Sequence, residues 1–505
     1  MNLFSLLANA AAIAPRSPAL VTDDQVVTYE EALQLVERLA AQLHACGIGD
    51  GDRLAGLCAN TPAHFVAYFA AARLGAIFVP LNWRLSDAEM AAVVQHAECK
   101  ALLFEAEFAP LARSLTARQA TTALPIEALL GEAPELAAAP MPRADADAIA
   151  HLYYTSGTTG RPKGVMLTHS NVGTHAHSAV LELALNARDR WAHIAPMFHL
   201  ADAWATFAIT EVAGAHVFLP RFATAAALDL LTRHRITITN LVPTMLNLMV
   251  KEPGAGSRTF SLRAMLSGGA PIAPEVVAQV IATFRCTYVQ TYGMTETSPY
   301  LTLSLLDDTL RQLPPAQQLA LQCRTGRPFR GVDLRVVHEN GTAIRADDRE
   351  VGEIRVKGAT VTKGYWRDPE ATAAAFDQHG YLCTGDLATL DRHGFVNIVD
   401  RKKDVIKTGA ETVFSTEVEN VLYQHGAILE CAVYGVPDSL WGEVVAAAIV
   451  LRPGHQTDAA AITAHCKERI AHYKAPRAVR FVDALPKTGS GKIQKRKLRD
   501  DHPRG

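Results

Sequence analysis

Helical segments and short apolar strands alternate through the first 400 residues of this 505-residue chain, and no other feature restricts the fold as much. "YEEALQLVERLAAQLHACG" runs into "DRLAGLC", and "AALDLLTRHR" into "ITITNLV". Strands joined through helices pair mostly in parallel, with helices covering the sheet faces. From about Gly326 the texture shifts to short strands and turns, "VDLRVVHENGTA", "GEIRVKG" and "GFVNIVDR", where "ENG" reads as a hairpin turn. The charged run "DRKKD" near Asp400 then separates this part from a further α/β stretch. A chain of this length exceeds one compact core. The expected fold class is α/β: a large N-terminal domain (1–400) of subdomains with largely parallel sheets plus a β-rich part, and a small α/β C-terminal domain (401–505).

Composition limits the function classes. The formal charge of −2 provides no global field to recruit nucleic acid, so any anion site must be local. Eight cysteines (46, 58, 99, 286, 323, 383, 431, 466) are scattered without zinc spacing, which fits reduced, buried thiols in a reducing compartment. "MNLFSLLANAAAIAP" has no Lys or Arg before Arg16, so it reads as an amphipathic helix ended by Pro15 rather than a signal peptide. "FVAYFAAARLGAIFVPL" (65–81) is shorter than the ~20 residues of a spanning helix and has Arg73 at its centre. It reads as a helix to Leu74, a stop at Gly75 and a buried strand. No transmembrane segment is expected, and the expected location is cytoplasmic. The Ala-, Pro- and Glu-rich stretch 109–148 reads as a variable connection.

One loop points to chemistry. "YYTSGTTGRPKGV" (153–165) packs three Gly, three Thr, Ser156, Arg161, Pro162 and Lys163 between Thr155 and Gly164. Such clusters are usually surface turns. They are also what a phosphate cradle needs: close-approaching backbone N–H groups, hydroxyls and one cation. The P-loop pattern is absent, because Gly164 follows Lys163 and no Gly-Lys-Ser/Thr run occurs.

Three further motifs follow in order: "QTYGMTETSP" (290–299), "GYLCTGDLATLDRHGFVNIVDRKKDVIKTG" (380–409) and "LPKTGSGKIQKRKLR" (485–499). Together with "YYTSGTTGRPKGVMLTH" they closely resemble the core motifs of the ANL superfamily of adenylate-forming enzymes. The resemblance spans essentially the whole chain, and "PMFHLAD" resembles stand-alone fatty acyl-CoA ligases most. It implies the ANL fold, with a mobile C-terminal domain, and a two-step reaction. A carboxylate attacks the α-phosphorus of ATP to give an acyl-adenylate and pyrophosphate, and the thiol of coenzyme A then displaces AMP.

The resemblance also assigns roles. Thr155, Ser156, Gly157, Thr158, Thr159 and Lys163 would hold the β- and γ-phosphates. Tyr292 and Gly293 would meet adenine, Thr295 the α-phosphate, and Glu296 a Mg²⁺ ion, which binds few protein ligands. Gly268, Gly269 and Ala270 of "SGGAP" would line the adenine and acyl side, and a tight turn remains an equal reading. Asp386 and Arg401 would bind the ribose. His199 would stand at the mouth of the acyl pocket. Lys492 would bridge carboxylate and α-phosphate, where a cation at ~4 Å and effective dielectric ~20 is worth about 4 kcal/mol. Lys487, Lys495, Arg496, Lys497 and Arg499 around it read mostly as a solvated basic tail. Lys403 would be the hinge. Gly409 would flank the pantetheine arm, while Trp441 and Tyr473 would lie near the nucleotide end of CoA or in the domain core.

The chain departs from the family at Gly409-Ala410-Glu411-Thr412, where close relatives read Gly-Gly-Glu-Asn; this puts the efficiency of the thioester step, or the identity of the thiol, in doubt. The expected substrate is a medium- or long-chain fatty acid. The alternatives are an aryl acid, or a luciferase-like monooxygenase oxidising its adenylate. A peptide-synthetase module is disfavoured because no carrier domain follows Gly505. The regions 197–204, 242–245 and 297–300, expected to line the acyl pocket, contain no Arg or Lys, against a second carboxylate on the substrate. A homodimer is common in relatives, and the resemblance allows one here.

Overall fold

A computed structural model describes residues 2–117, 120–131, 136–142, 145–156, 162–270, 272–409, 411–487 and 493–502, with the Ser156 side chain also outside the description. The chain forms two compact units: 1–334 with 356–382, and 335–355 with 383–505.

The first unit holds two sheets. In the nine-stranded sheet, the strands Pro18–Val21, Ala215–Phe218, Arg190–His193, Ile238–Leu241, Ala264–Ser267 and Thr287–Gly293 run parallel, and antiparallel strands close both edges. In the six-stranded sheet, Arg53–Leu57, Ile77–Pro80, Ala101–Phe104, Thr122–Pro125 and Ile149–Ser156 are parallel, and Pro162–Thr168 pairs antiparallel with Ile149–Ser156. The helix–strand rhythm of the sequence thus becomes largely parallel sheets, as expected from crossover connections.

Local signals explain the elements. Thr28 and Glu31 form a reciprocal capping box that starts the helix Tyr29–Ala45. The helix Pro62–Leu74 begins with Pro at its first position and stops at Gly75, whose φ is 72°. Arg73 lies inside this apolar segment because its charge is answered: Nε is 2.9 Å from Glu37 Oε1, and the other guanidinium nitrogens donate to the Ala139 and Pro140 carbonyls. The first helix, Phe4–Ile13, buries Phe4, Leu6, Leu7 and Ala10. No helix among the described residues is long and apolar enough to cross a membrane.

The stretch 109–148 is more than a connection. It supplies the helix Ala109–Thr116 and the edge strand Thr122–Pro125, which adds to Ala101–Phe104 in parallel register. That strand is four residues long and buries only Leu124, too short a pattern to stand out in sequence.

Within the second unit, Leu382–Leu390 pairs antiparallel with Val396–Arg401. The long hairpin Ile428–Asp438/Gly442–Leu451 carries a further sheet, packed on the helix Ser415–Leu422. "ENG" does turn a hairpin, with Gly341 N donating to the His338 carbonyl at 2.9 Å. The basic tail is not simply solvated. Lys495 Nζ lies 2.8 Å from Glu419 Oε1 and donates to Ser415 Oγ, Lys487 Nζ lies 2.6 Å from Glu430, and Arg499 Nε donates to the Gly435 carbonyl. Acidic residues on the neighbouring helix and hairpin recruit the two lysines and a hairpin carbonyl holds Arg499, pairings invisible in the tail's own sequence.

Candidate active site

The strands Ile149–Ser156 and Pro162–Thr168 pair up to Ser156 opposite Pro162, which sets Thr155 opposite Lys163 at the mouth of the Gly/Thr loop. Gly157, Thr158 and Thr159 lie outside the described residues, as do the Ser156 side chain, Ala410 and Lys492. The residues flanking the lysine loop are described: Lys487 and Ile493 form an antiparallel bridge, and Gln494 N donates to the Pro486 carbonyl.

A short segment, 360–366, draws the strand after the Gly/Thr loop and the "YGMTE" turn together. Trp366 N donates to the Gly164 carbonyl and Met166 N to the Gly364 carbonyl, while Thr362 N donates to the Glu296 carbonyl. Ser298 Oγ adds a bond to the Thr360 carbonyl. Tyr365 therefore sits between the two. Its hydroxyl donates to Glu296 Oε1 at 3.0 Å, and Lys163 Nζ lies 4.8 Å from its ring centroid. Burial, with Glu296 beside it, pushes the Tyr365 phenol up, so it stays protonated and donates. Sequence reasoning missed Tyr365: it is 69 residues from Glu296, in a stretch without periodicity.

The Gly-rich segment lies alongside this turn. Ala264–Ser267 pairs in parallel with Thr287–Gly293, placing Gly268 against Thr291. A Cβ on Gly268 would stand 2.2 Å from Thr291 Oγ1, so the close approach requires glycine. Gly269 and Ala270 are exposed. Tyr292, Gly293 and Thr295 are half-buried, and Glu296 is buried in the short turn Thr295–Thr297.

His199 precedes the helix Leu200–Glu211 and packs against Phe198, with ring centroids 4.7 Å apart. The turn before it is fixed by two side chains. Asn60 donates to the carbonyls of His193 and Ala195 and accepts from Met197 N, and Tyr68 Oη donates to the Met197 carbonyl. Tyr68 also shares a 2.7 Å bond with Tyr153 at the base of the Gly/Thr loop. Neither Asn60 nor Tyr68 carried a sequence signal. Trp204, in the helix after His199, forms one buried aromatic cluster with Tyr300, Phe329 and His175, its centroid 5.1 Å from that of Tyr300.

In the second unit, Asp386 and Arg401 face each other across the hairpin, with Arg401 Nε 3.2 Å from Asp386 Oδ1. Asp386 is buried while Arg401 is half-exposed at its side chain, so the pair presents a carboxylate backed by a cation at the surface. Lys403 is exposed. Gly409 N donates to the Trp441 carbonyl at 2.7 Å, and the Trp441 indole, itself 40% exposed, carries the Arg477 guanidinium 4.7 Å above it. Tyr473 is 37% exposed, and Lys474 Nζ lies 5.9 Å from its ring. Both aromatics are surface residues rather than domain core.

Known proteins are similar to this chain in sequence and fold. Over 493 residues the chain is 36% identical to a feruloyl-CoA synthase of Amycolatopsis sp, covering 97% of this chain and 96% of that protein. It is 34% identical over 525 residues to a long-chain-fatty-acid–CoA ligase of Thermus thermophilus, covering 99% and 96%. The o-succinylbenzoate CoA synthetase of Bacillus subtilis, in complex with its acyl-adenylate intermediate, shares the fold with a TM-score of 0.88 at 32% identity over 98% of each chain. The same enzyme in complex with ATP and a magnesium ion gives 0.86 at 32% identity, again over 98% of each chain. Residues 7–366 match the AMP-binding enzyme family and residues 417–492 its C-terminal domain; the chain belongs to this family, within the ANL superfamily, and is an AMP-forming acid–CoA ligase.

Proposed function

We propose that this ligase takes an apolar monocarboxylic acid of compact shape, an aryl acid or an alkyl acid of medium length, with ATP and coenzyme A. The observation that carries the nucleotide half is the row Lys163, Tyr365, Glu296: a cation and a carboxylate held apart by one phenol. Lys163 would meet the β- and γ-phosphates, together with Thr155, Ser156, Gly157, Thr158 and Thr159. Glu296, a single hard oxygen ligand, fits Mg²⁺, which keeps most of its waters and draws its other ligands from phosphate. When bound, that ion would neutralise triphosphate charge. Thr295 would bond the α-phosphate, Tyr292 would stack on adenine beside Gly268, Gly269, Ala270 and Gly293, and Asp386 with Arg401 would grip the ribose.

His199 would orient the acid's carboxylate, and Lys492 would screen it from the α-phosphate it attacks. Residues 401–505 would form the mobile domain, turning about Lys403 to withdraw Lys492 and bring Gly409, Trp441 and Tyr473 to the CoA arm. On the acyl side, packing favours a compact group. Trp204, in the helix that follows His199, packs with Tyr300, Phe329 and His175 in one buried cluster, and a long alkyl chain entering beside that helix would have to displace them. The absence of Arg and Lys from 197–204, 242–245 and 297–300 disfavours a diacid.

The test is pyrophosphate release with Mg·ATP against acetate to palmitate, benzoate, cinnamate and succinate, each with and without CoA, and with Lys492→Ala as control. CoA-dependent turnover greatest on cinnamate, benzoate or octanoate, and lost in the control, supports the reading. Preference for palmitate or succinate refutes the compact monoacid assignment.

A further inference from the structure

Beneath the helix that follows His199 lies a polar chain with no solvent contact. Asp202 Oδ2 is 2.5 Å from His193 Nδ1, and both side chains have zero exposure. His193 Nε2 is 3.0 Å from His216 Nδ1, and His216 Nε2 is 3.1 Å from Thr210 Oγ1. Trp191 Nε1 donates to the other Asp202 oxygen at 3.3 Å. Asp202 and Thr210 lie in the first and last turns of the helix Leu200–Glu211, while His193 and His216 lie on adjacent parallel strands. The four side chains therefore bolt the helix to the sheet at both ends. They run in a line rather than converging on a point, so they do not form a metal site.

Donor counting fixes the protons. Thr210 donates its single hydroxyl proton to the Thr206 carbonyl at 2.7 Å, so it can only accept from His216 Nε2–H. Neutral His216 then accepts at Nδ1, which requires His193 Nε2–H. One proton remains, between His193 Nδ1 and Asp202. It resides on the carboxyl or on the imidazole, giving a neutral pair or a fully buried ion pair. The titratable groups facing the chain are Tyr29, Tyr68, Tyr153, Tyr300 and His64. None is a charged partner at neutral pH: burial pushes the four phenols up and His64 down to about 4. Taking two charges out of water here is costly, and beyond their mutual attraction only the neutral Trp191 and His216 hydrogen bonds offset it. The same balance shows in the acidities: burial pushes Asp202 well up and lowers His193 to about 3.

The helix start is also the His199 carbonyl's partner, since Asp202 N and Ala203 N both donate to it at 3.1 Å. We propose that Asp202, held as the neutral acid, is a positioning residue: through the His193–His216–Thr210 brace it fixes the first turn of the helix and thereby aims His199 at the substrate carboxylate. The kinetic part rests on the role given to His199 above; the protonation does not.

The experiment uses the full chain and three variants. Asp202→Asn reproduces the neutral acid, one donor toward His193 and one acceptor for Trp191, and retains the wild-type KM for the acid. Asp202→Leu opens the brace, raising the acid KM by roughly tenfold or more while the ATP KM stays unchanged, the pattern of a misaimed group. Thr210→Val breaks the far end, keeps the helix shape and gives a smaller shift in the same constant. Infrared spectroscopy adds a readout independent of turnover: a carboxylic-acid C=O band that persists in mildly alkaline buffer and disappears in Asp202→Asn. Absence of that band overturns the neutral assignment. If Asn is as damaging as Leu, or if Leu and Val lower only thermal stability, the positioning role falls. Should wild type ligate no acid, the proposed function fails while the infrared band still decides the protonation.

Discussion

Tyr365 places its hydroxyl 3.0 Å from Glu296 Oε1 and its ring face 4.8 Å from Lys163 Nζ, so one side chain touches both the cation of the Gly/Thr loop and the carboxylate of the "YGMTE" turn. The three residues come from three separate stretches, joined by the backbone bonds of 360–366. The phenol orients the carboxylate, and its ring limits where the ammonium can rest.

Tyr365→Phe keeps the ring and deletes the hydroxyl. A hydrogen bond to a charged acceptor is worth about 1.5–3 kcal/mol. The expected outcome is therefore a ten- to hundredfold loss in kcat/KM for Mg·ATP, roughly, with the acid KM unchanged. Initial rates across a magnesium titration check it. An unchanged magnesium dependence would mean that Glu296 needs no help from this phenol.

The Arg401–Asp386 pair separates stability from function. Arg401 is half-exposed, and surface ion pairs contribute about 0–1 kcal/mol. Arg401→Ala should leave Tm nearly unaltered while raising the ATP KM about tenfold or more, because the charge-assisted grip on the ribose proposed for this pair would be lost. Calorimetry and ATP saturation curves decide it; a large drop in Tm with normal ATP binding would make the pair structural.

Which parts of this were readable beforehand follows from the range of each signal. The parallel sheets and the stop at Gly75 arise from local periodicity and turn chemistry, which a sequence displays directly. Tyr365 was hidden because its partners are distant in sequence. The engagement of Lys495 with Glu419 was hidden for the same reason, since a charge run looks identical whether solvated or paired. His193 and His216 stand two among nineteen histidines, and only their adjacency on neighbouring strands marks them.

Gly409 tests the thiol route. Its φ is +62°, and a Cβ there would stand 3.1 Å from the Trp441 ring. Alanine pays about 1–2 kcal/mol in this left-handed conformation and pushes the indole aside. Gly409→Ala should leave CoA-independent pyrophosphate release intact and slow acyl-CoA formation. A single-turnover burst followed by CoA-limited turnover is the expected trace, whereas equal loss in both steps would remove Gly409 from the thioester half.

Acid should unfold this protein early. Six histidines are buried as neutral rings: burial lowers His64 and His169 to about 4, His151, His175 and His193 to about 3, and His216 well below its ordinary value. A folded pKa below the unfolded one gives stability that is complete above about 6.5 and is lost as pH falls toward the folded value. Each such group costs about 1.4 kcal/mol per pH unit once the unfolded chain is protonated. The buried carboxyls act in the opposite sense: Asp202, Glu105, Asp400 and Glu419 are raised by burial, so their contribution returns on acidification. Histidines outnumber them in the window between about 6.5 and 4, so stability should fall steeply there, with net proton uptake on unfolding. Calorimetric Tm against pH measures the slope, and His151→Phe, placing a phenyl ring among Tyr68, Tyr153 and Phe207, should flatten it by about one proton. A Tm that stays level from neutrality to about pH 5 would show that these rings remain solvated enough to charge in the folded state.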